Sequence, residues 1–556
     1  MKTWKTNLEE TKQRYINWWN HKGIILSMWE HFQEGVKPHA DIAPPAPARD
    51  LSQKWFDPQW RAEYLDWYVA HSSLMADMLP VANTQLGPGS LAAILGGVFE
   101  GGEDTIWIHP DPNFNDEIVF NPEHPNWLLH KELLKACKAK ANGNYFVGMP
   151  DLMEGLDVLA ALKGTDMVLL DTVMQPEVLE QQMQQINDIY FKVFDELYDI
   201  IREGDEMAFC YFSSWAPGKM SKLQSDISTM ISQDDYRRFV QPFIREQCQK
   251  IDYTLYHLDG VGAMHHLPAL LEIEELNAIQ WTPGVGEPQG GSPKWYDLYK
   301  KILAGGKSVM ACWVTLEELK PLLDHIGADG VHLEMDFHNE REVEQAMRII
   351  EEYTGSSSSV SADVHTNQPV GEQDNAQESI RIREEKSQEE DRMKPLYDAI
   401  VAGKLEPAVE VTKDAIAAGV LPQDIINGYM ITAMGEVGQR FQDGKAFVPQ
   451  LLMAGRAMKG ALELLKPLLA GNASATIGKI VIGTVKGDLH DIGKNLVASM
   501  LEGCGFEVIN IGIDVTCDKF VEAVKENKAD ILCMSALLTT TMTYMPVSYT
   551  HLTLPT

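Results

Sequence analysis

The sequence predicts an α/β protein in three parts: an N-terminal (β/α)8 barrel, a helical bundle, and the opening of a doubly wound parallel sheet. Three observations carry that prediction. Eight strand-length apolar runs recur before residue 340 with helical segments between them. A polar stretch, residues 354–379, then breaks the pattern, and all 13 Trp precede it. Beyond it the pattern is first helical throughout, then alternates between strand and helix.

The candidate strands of the first part are "GIILSMW" (23–29), "YFVGM" (145–149), "DMVLLDT" (166–172), "MAFCYFSSW" (207–215), "YTLYHLD" (253–259), "LNAIQW" (276–281), "SVMACWV" (308–314) and "GVHLEMD" (330–336). Near-continuous apolar runs of this length suit parallel strands covered on both faces. Residues 1–353 are therefore assigned to the barrel. The stretch "TGSSSSVSADVHTNQPVGEQDNAQES" (354–379) has almost nothing to bury and reads as a flexible linker.

Residues 380–472 read as a bundle of about four helices, with Gly419 and Pro422 punctuating an early turn. In residues 473–546, "KIVIGTV" (479–485), "EVINIG" (507–512) and "DILCMSALL" (530–538) read as strands with helices between them. That is the start of a doubly wound domain, which needs about five strands, so this part is expected to be truncated. The final "VSYTHLTLPT" (547–556) has neither helix nor strand logic. It reads as adapter sequence translated into protein and is set outside the fold.

Composition excludes several classes. A net charge of −33 and a pI near 4.8 oppose binding to nucleic acid or to an anionic membrane surface. There is no apolar run long enough for a membrane span and no signal-peptide core at the N-terminus. Seven scattered Cys without a CxxC fit a reducing compartment, so a cytoplasmic location is expected.

The most informative stretch is "KGDLHDIGKNLV" (486–497), placed where the first strand of the last part ends. Such strand ends are where doubly wound sheets hold ligands. Asp488-x-His490-x-x-Gly493 resembles the cobalamin-binding signature of corrinoid methyltransferases and methionine synthase, whose carrier domain is flavodoxin-like. The resemblance implies that His490 is the lower axial ligand to cobalt, with imidazole suited to that metal. Asp488 would orient it through the other ring nitrogen. Gly493 would admit the cofactor's nucleotide tail, with Gly487, Leu489 and Asp491 completing the cofactor-binding segment.

Two further segments match. "SALLTTTM" (535–542) places Ser535, Leu537, Thr539 and Thr541 to meet the corrin edge or the axial relay. "MGEVGQRFQDGKAFVPQLLMAGRAM" (434–458) resembles the helical cap over the upper face of methylcobalamin. There Phe441 and Val448 match residues that shield the methyl–cobalt bond, and Asn427 lies in the matching "INGYM" segment; ordinary bundle core is the bland alternative. Such a cap fits methyl transfer rather than mutase chemistry. The family's Gly-Gly segment for the nucleotide tail is missing, so the chain as printed is expected to bind cobalamin poorly.

The first 350 or so residues resemble the uroporphyrinogen decarboxylase superfamily, through "MPDLMEGLDVLAALKGTDMVLLDTVMQPEVL" (149–179), "LQSDISTMISQDDYRRFVQPF" (223–243) and the late strands. The decarboxylase's arginine-rich N-terminal segment is replaced by "NWWNHKGIILSMW", which argues against porphyrinogen decarboxylation. Methyltransferases of the superfamily carry His-x-Cys and a later Cys that bind zinc. Here the first motif reads His257-Leu258-Asp259, and Cys312 stands near the later position. His257, Asp259 and Cys312 are thus the candidate catalytic residues. They read either as a zinc set with an open position or as a metal-free site in which His257 and Asp259 move protons and Cys312 is core. Glu334 and Asp336 are weaker candidates at the same mouth. The Trp content hints at an aromatic, methoxylated substrate, although core packing is the commoner use.

The expected function is a corrinoid-dependent methyltransferase fused to its own cobalamin carrier, acting on a small methyl donor or acceptor. The linker would let the carrier swing between partners, which the resemblance extends to a second methyltransferase and a corrinoid reactivase. Two rivals stand beside it: methyl delivery to a thiol or to tetrahydrofolate, and a non-enzymatic cobalamin sensor. The sensor is disfavoured because the sequence has no DNA-binding motif or basic patch.

Overall fold

The computed structural model describes residues 4–102, 105–111, 114–284, 286–354, 393–469, 478–488, 492–503, 506–536 and 544–545. The chain divides into two compact units, Met1–Ser358 and Ser359–Thr556.

In chain order the strands of the first unit are β1 (Ile24–Ser27), β2 (Val81–Ala82), β3 (Val98–Gly101), β4 (Ile106–His109), β5 (Phe146–Met149), β6 (Met207–Phe209), β7 (Trp215–Ala216), β8 (Met220–Leu223), β9 (Tyr253–Asp259), β10 (Ala278–Thr282), β11 (Ser308–Val314) and β12 (Val331–Met335). Six make one all-parallel sheet in the order β1-β12-β11-β10-β9-β8. A second sheet runs β2-β5-β6-β7, parallel except for the β6–β7 return. Strands β3 and β4 form a separate antiparallel pair. Strands β9 to β12 coincide closely with the apolar runs, and β11 and β12 are buried almost throughout, as two-sided cover requires.

Six of the 13 tryptophans are buried. Trp18, Trp127, Trp215, Trp281 and Trp295 are fully buried. In the helix Leu8–Trp19, Trp18 donates its indole N–H to the Val309 carbonyl at 3.3 Å, at the N-terminal end of β11. Trp19 donates to the Trp215 carbonyl at 3.0 Å. These indoles fill one end of the sheet and satisfy their own donors there.

Two sequence expectations are corrected. Residues 166–172 are not a strand but part of the helix Thr165–Met174. Thr165, Val168, Leu169 and Thr172 are buried there while Met167 and Val173 are exposed, which is the helical period and not the strand period. Residues 207–215 do not form one strand: β6 ends at Phe209, and the chain doubles back through a short turn into β7. Among the described residues the parallel strands pair within two sheets, with no ladder between them. Strands β2 and β8 went unpredicted because they offer only two and four residues.

The second unit begins with helices at 393–401, Leu405–Ala417, Pro422–Ile425, Ile431–Gln442 and Val448–Leu469. A π-turn, Ile426–Met430, joins the third to the fourth. Leu396, Ile400, Ala408, Met430, Ala457, Ala461 and Leu465 form their common core. Small residues set the spacing. A Cβ on Gly460 would stand 2.3 Å from Leu405 Cδ1, so helix Val448–Leu469 lies too close to Leu405 for a larger residue there. The sheet that follows contains β13 (Lys479–Thr484), β14 (Glu507–Asn510) and β15 (Ile531–Ser535), parallel in the order β14-β13-β15. Helices Ile492–Gly503 and Cys517–Asn527 make the crossovers.

No helix among the described residues is long and apolar enough to cross a membrane. Residues 355–392, which contain most of the expected linker, and the terminal 547–556 lie outside the described residues.

Candidate functional sites

With β13 central, its crossovers leave toward β14 on one side and toward β15 on the other. The crevice beyond the carboxyl ends of β13 and β15 is therefore a topological switch point, where open α/β sheets bind ligands. Asp488 and Ser535, one from each candidate cofactor segment, follow or end these two strands. Thr484 pairs with Ser535 across the ladder, and the Val485 amide donates to the Ser535 carbonyl at 3.0 Å.

After β13 the chain turns at once. The Asp488 amide donates to the Val485 carbonyl at 3.1 Å, with Gly487 at φ +78. That is a turn whose third position calls for glycine. The Gly487 amide donates to Asp514 Oδ1 at 2.8 Å, and the Asp514 amide donates to the Asp488 carbonyl at 3.2 Å. Asp488 is fully buried there, aligned by the loops that follow β13 and β14. Gly493 belongs to the helix that starts at Ile492. Leu489, His490, Asp491, Leu537, Thr539 and Thr541 lie outside the described residues.

In the bundle, Val448 is buried, whereas Asn427 is exposed and lies in the π-turn. Phe441 is 45% exposed, so it is not bundle core. A large aromatic presented at the end of a helix suits contact with a ligand better than packing within the bundle.

A buried carboxylate beside the switch point and a helical bundle immediately before the sheet fit a cobalamin-binding module. Sequence profiles described as B12 binding domains match residues 393–466 and 478–548. Trimethylamine corrinoid protein 1 of Methanosarcina mazei is 46% identical over 147 residues, 26% of this chain and 68% of its own length. The dimethylamine corrinoid protein of Methanosarcina barkeri is 43% identical over 154 residues, 28% of this chain and 72% of its own. A methanol:cobalamin methyltransferase complex from Methanosarcina barkeri is 31% identical, covering 32% of this chain and 69% of that one at a TM-score of 0.27. Through these C-terminal residues the chain belongs to the family of methylamine corrinoid proteins, and it carries cobalamin-binding domains.

The first unit has its own cluster at the carboxyl ends of its parallel strands. Asp226 follows β8, and His257 and Asp259 lie at the end of β9. One donor atom from each of the three lies within 4.8 Å of the others. His257 Nε2 is 3.9 Å from Asp259 Oδ2. The other ring nitrogen, Nδ1, meets Gln280 Oε1, and Gln280 Nε2 donates to Thr282 Oγ1 at 2.7 Å and to Cys312 Sγ at 3.0 Å. The amide thus holds the proton on Nδ1 and leaves Nε2 as an acceptor toward the two carboxylates.

Burial, reinforced by the Lys222 ammonium, pushes the His257 pKa down to about 3, so the ring is neutral. Burial raises Asp259 above the usual carboxylate range, and it raises Asp226 well above that range with the help of Asp157. Lys222 is ion-paired to Asp151 and bonded to Gln224. Asp157 accepts the backbone amides of Asp226 and Ile227 at 2.8 and 2.9 Å, which fixes the turn carrying Asp226.

The structure therefore keeps two of the three predicted residues together and separates the third. Cys312 is fully buried behind Gln280, and burial beside Glu334 pushes its thiol well above the ordinary range. Its Sγ accepts from Gln280 Nε2 and is not among the donor groups gathered at Asp226, His257 and Asp259. Asp226 takes the third place. It was missed because β8 is too short to announce itself. Asp151, Glu154 and Asp157, three apart after β5, carried a legible signal that was not used. Glu334 is buried opposite Cys312 in register, and Asp336 is exposed outside the cluster.

Proposed function

We propose that this chain is a corrinoid-dependent methyltransferase whose first unit, a (β/α)8-type domain like those of the uroporphyrinogen decarboxylase superfamily, exchanges a methyl group with cobalamin carried by its second unit. One observation supports this reading above the others. A cobalamin-binding region of the methylamine corrinoid family shares its chain with an acid–imidazole cluster at the carboxyl ends of parallel strands, where α/β barrels do chemistry. The trimethylamine and dimethylamine names of the relatives direct attention to small methylated donors.

Bound cobalamin supplies a cobalt ion that takes up and returns a methyl group. This chain's residues would hold it as the signature implies: His490 as a ligand to the metal, Asp488 orienting His490, and Ser535, Thr539 and Thr541 contacting the cofactor, with Phe441 and Val448 excluding water. In the first unit Asp259, whose carboxyl burial pushes above the usual range, delivers a proton to the oxygen or nitrogen that gives up its methyl. Neutral His257, fixed by Gln280, accepts a hydrogen bond from that group through Nε2. Cys312 accepts from Gln280 and so helps hold the amide that orients His257.

The test is the visible spectrum of the full chain saturated with cobalamin, wild type against His490→Ala. The wild type is expected to show histidine ligation and the variant to lose it while its fold is retained. Identical spectra would refute the assignment of His490.

A further inference from the structure

Resting on the assignment of His490 as the axial ligand, we propose that Asp514 is a positioning residue of the cobalamin site: its carboxylate and its backbone amide clamp the dipeptide Gly487–Asp488 and so hold Asp488 where it orients His490.

The turn after β13 is closed from within by the Asp488 amide, which donates to the Val485 carbonyl at 3.1 Å. A bond of this kind fixes the shape of a turn but not its direction against the rest of the sheet. Asp514 supplies that direction from the neighbouring loop. Its Oδ1 accepts the Gly487 amide at 2.8 Å, and its own amide donates to the Asp488 carbonyl at 3.2 Å. The dipeptide is thus gripped at its first N–H and at its last C=O.

The loop that carries Asp514 is itself tied to β13. Beyond the end of β14 the Thr484 amide donates to the Gly512 carbonyl and the Val515 amide to the Thr484 carbonyl, both at 2.9 Å, and Val485 pairs with Val515 in a parallel bridge. Between these anchors Asp514 stands at φ 50, a left-handed backbone that Asp adopts more readily than most residues.

The residues that follow the ligand segment are held by the same strand. In the helix Ile492–Gly503 the buried Lys494 ammonium donates to Asn510 Oδ1 at 2.9 Å, and Asn510 Nδ2 donates to Asn495 Oδ1 at 3.1 Å. In sequence, residues 489–491 lie between two stretches anchored on the end of β14 and the loop after it. A carboxylate orients a metal-bound imidazole only when its backbone is held to about 0.5 Å. Asp488 is fully buried, which leaves its side chain little room to correct a backbone that has moved. The charge of Asp514 has no part in this clamp. An acceptor oxygen and tolerance of left-handed backbone suffice, and asparagine offers both.

The test is the pH at which histidine ligation is lost, read from the visible spectrum of the full-length protein saturated with cobalamin. Acid protonates the ligand imidazole and detaches it, so weaker ligation is lost at a higher pH. Asp514→Ala should weaken ligation by about three- to tenfold, the worth of one hydrogen bond, and raise the midpoint by about 0.5–1 pH unit. Asp514→Gly relaxes the backbone but removes the acceptor, and it should do the same. Asp514→Asn should keep the wild-type midpoint. Where the Ala variant fails to fold, the Gly and Asn variants carry the comparison. Lower cobalamin affinity with an unchanged midpoint, a Gly variant like the wild type, or an Asn variant as defective as Gly would overturn the proposal. His490→Ala separates this inference from the assignment beneath it. If that variant loses ligation while the Asp514 variants match the wild type, this inference alone fails. If it leaves the spectrum unchanged, the ligand assignment fails and this inference falls with it.

Discussion

Burial decides the protonation of the residues around the first unit's cluster. His257 is held neutral, and Glu334 is pushed up to about 7, in both cases mainly by desolvation. For Glu334 the folded-state pKa lies above the unfolded value, so the folded protein binds more protons. Its contribution to stability is therefore most favourable below about pH 4.5 and is lost as pH rises through about 7. Glu334→Gln removes that dependence. The variant should gain up to about 3 kcal/mol over the wild type above pH 7 and little or nothing near pH 4, in denaturant unfolding of the full chain. A constant difference across that range would show that Glu334 does not titrate as its burial implies. At this scale the sequence was partly legible: His257 and Asp259 were visible as a motif, but Cys312 looked like a ligand. Only the fold reveals that Gln280 stands between Cys312 and the imidazole.

At the scale of elements, β13 carries the burden in the second unit, because both of its neighbours and the cofactor turn depend on it. A Cβ on Gly483 would lie 2.8 Å from Ile511 Cγ1 and 2.9 Å from Phe520 Cε1. Gly483→Ala should therefore destabilise this unit by about 1–3 kcal/mol and weaken cobalamin binding, measured by unfolding and by titration with the cofactor. Unchanged stability would mean that the helix Cys517–Asn527 can shift away from the strand. The elements also show why some assignments from sequence succeeded and others failed. Strands β9 to β12 are long, apolar and two-sided, so composition announced them. Residues 166–172 have the same composition, and only the alternation of buried Val168 and Leu169 with exposed Met167 and Val173 distinguishes a helix. The β6–β7 return was illegible because it depends on left-handed backbone at Phe212 and Ser213, residues that carry no turn signature.

For the whole molecule, the proposed function puts a methyl-transferring unit and a cobalamin-binding region on one chain. Covalent linkage fixes their effective concentration whatever the protein concentration. The high negative charge makes non-specific association between copies unfavourable, which further favours transfer within a chain. The most direct test loads the full-length protein with cobalamin, reduces it, adds methanol, and follows the visible absorbance of the bound corrinoid at several protein concentrations. The expected result is methylation of the corrinoid with a rate constant independent of protein concentration, and loss of most of that rate in Asp259→Asn, because the leaving oxygen must take up a proton. A rate that rises in proportion to protein concentration, or no methylation with methanol, 2-methoxyphenol or trimethylamine as donor, would contradict it.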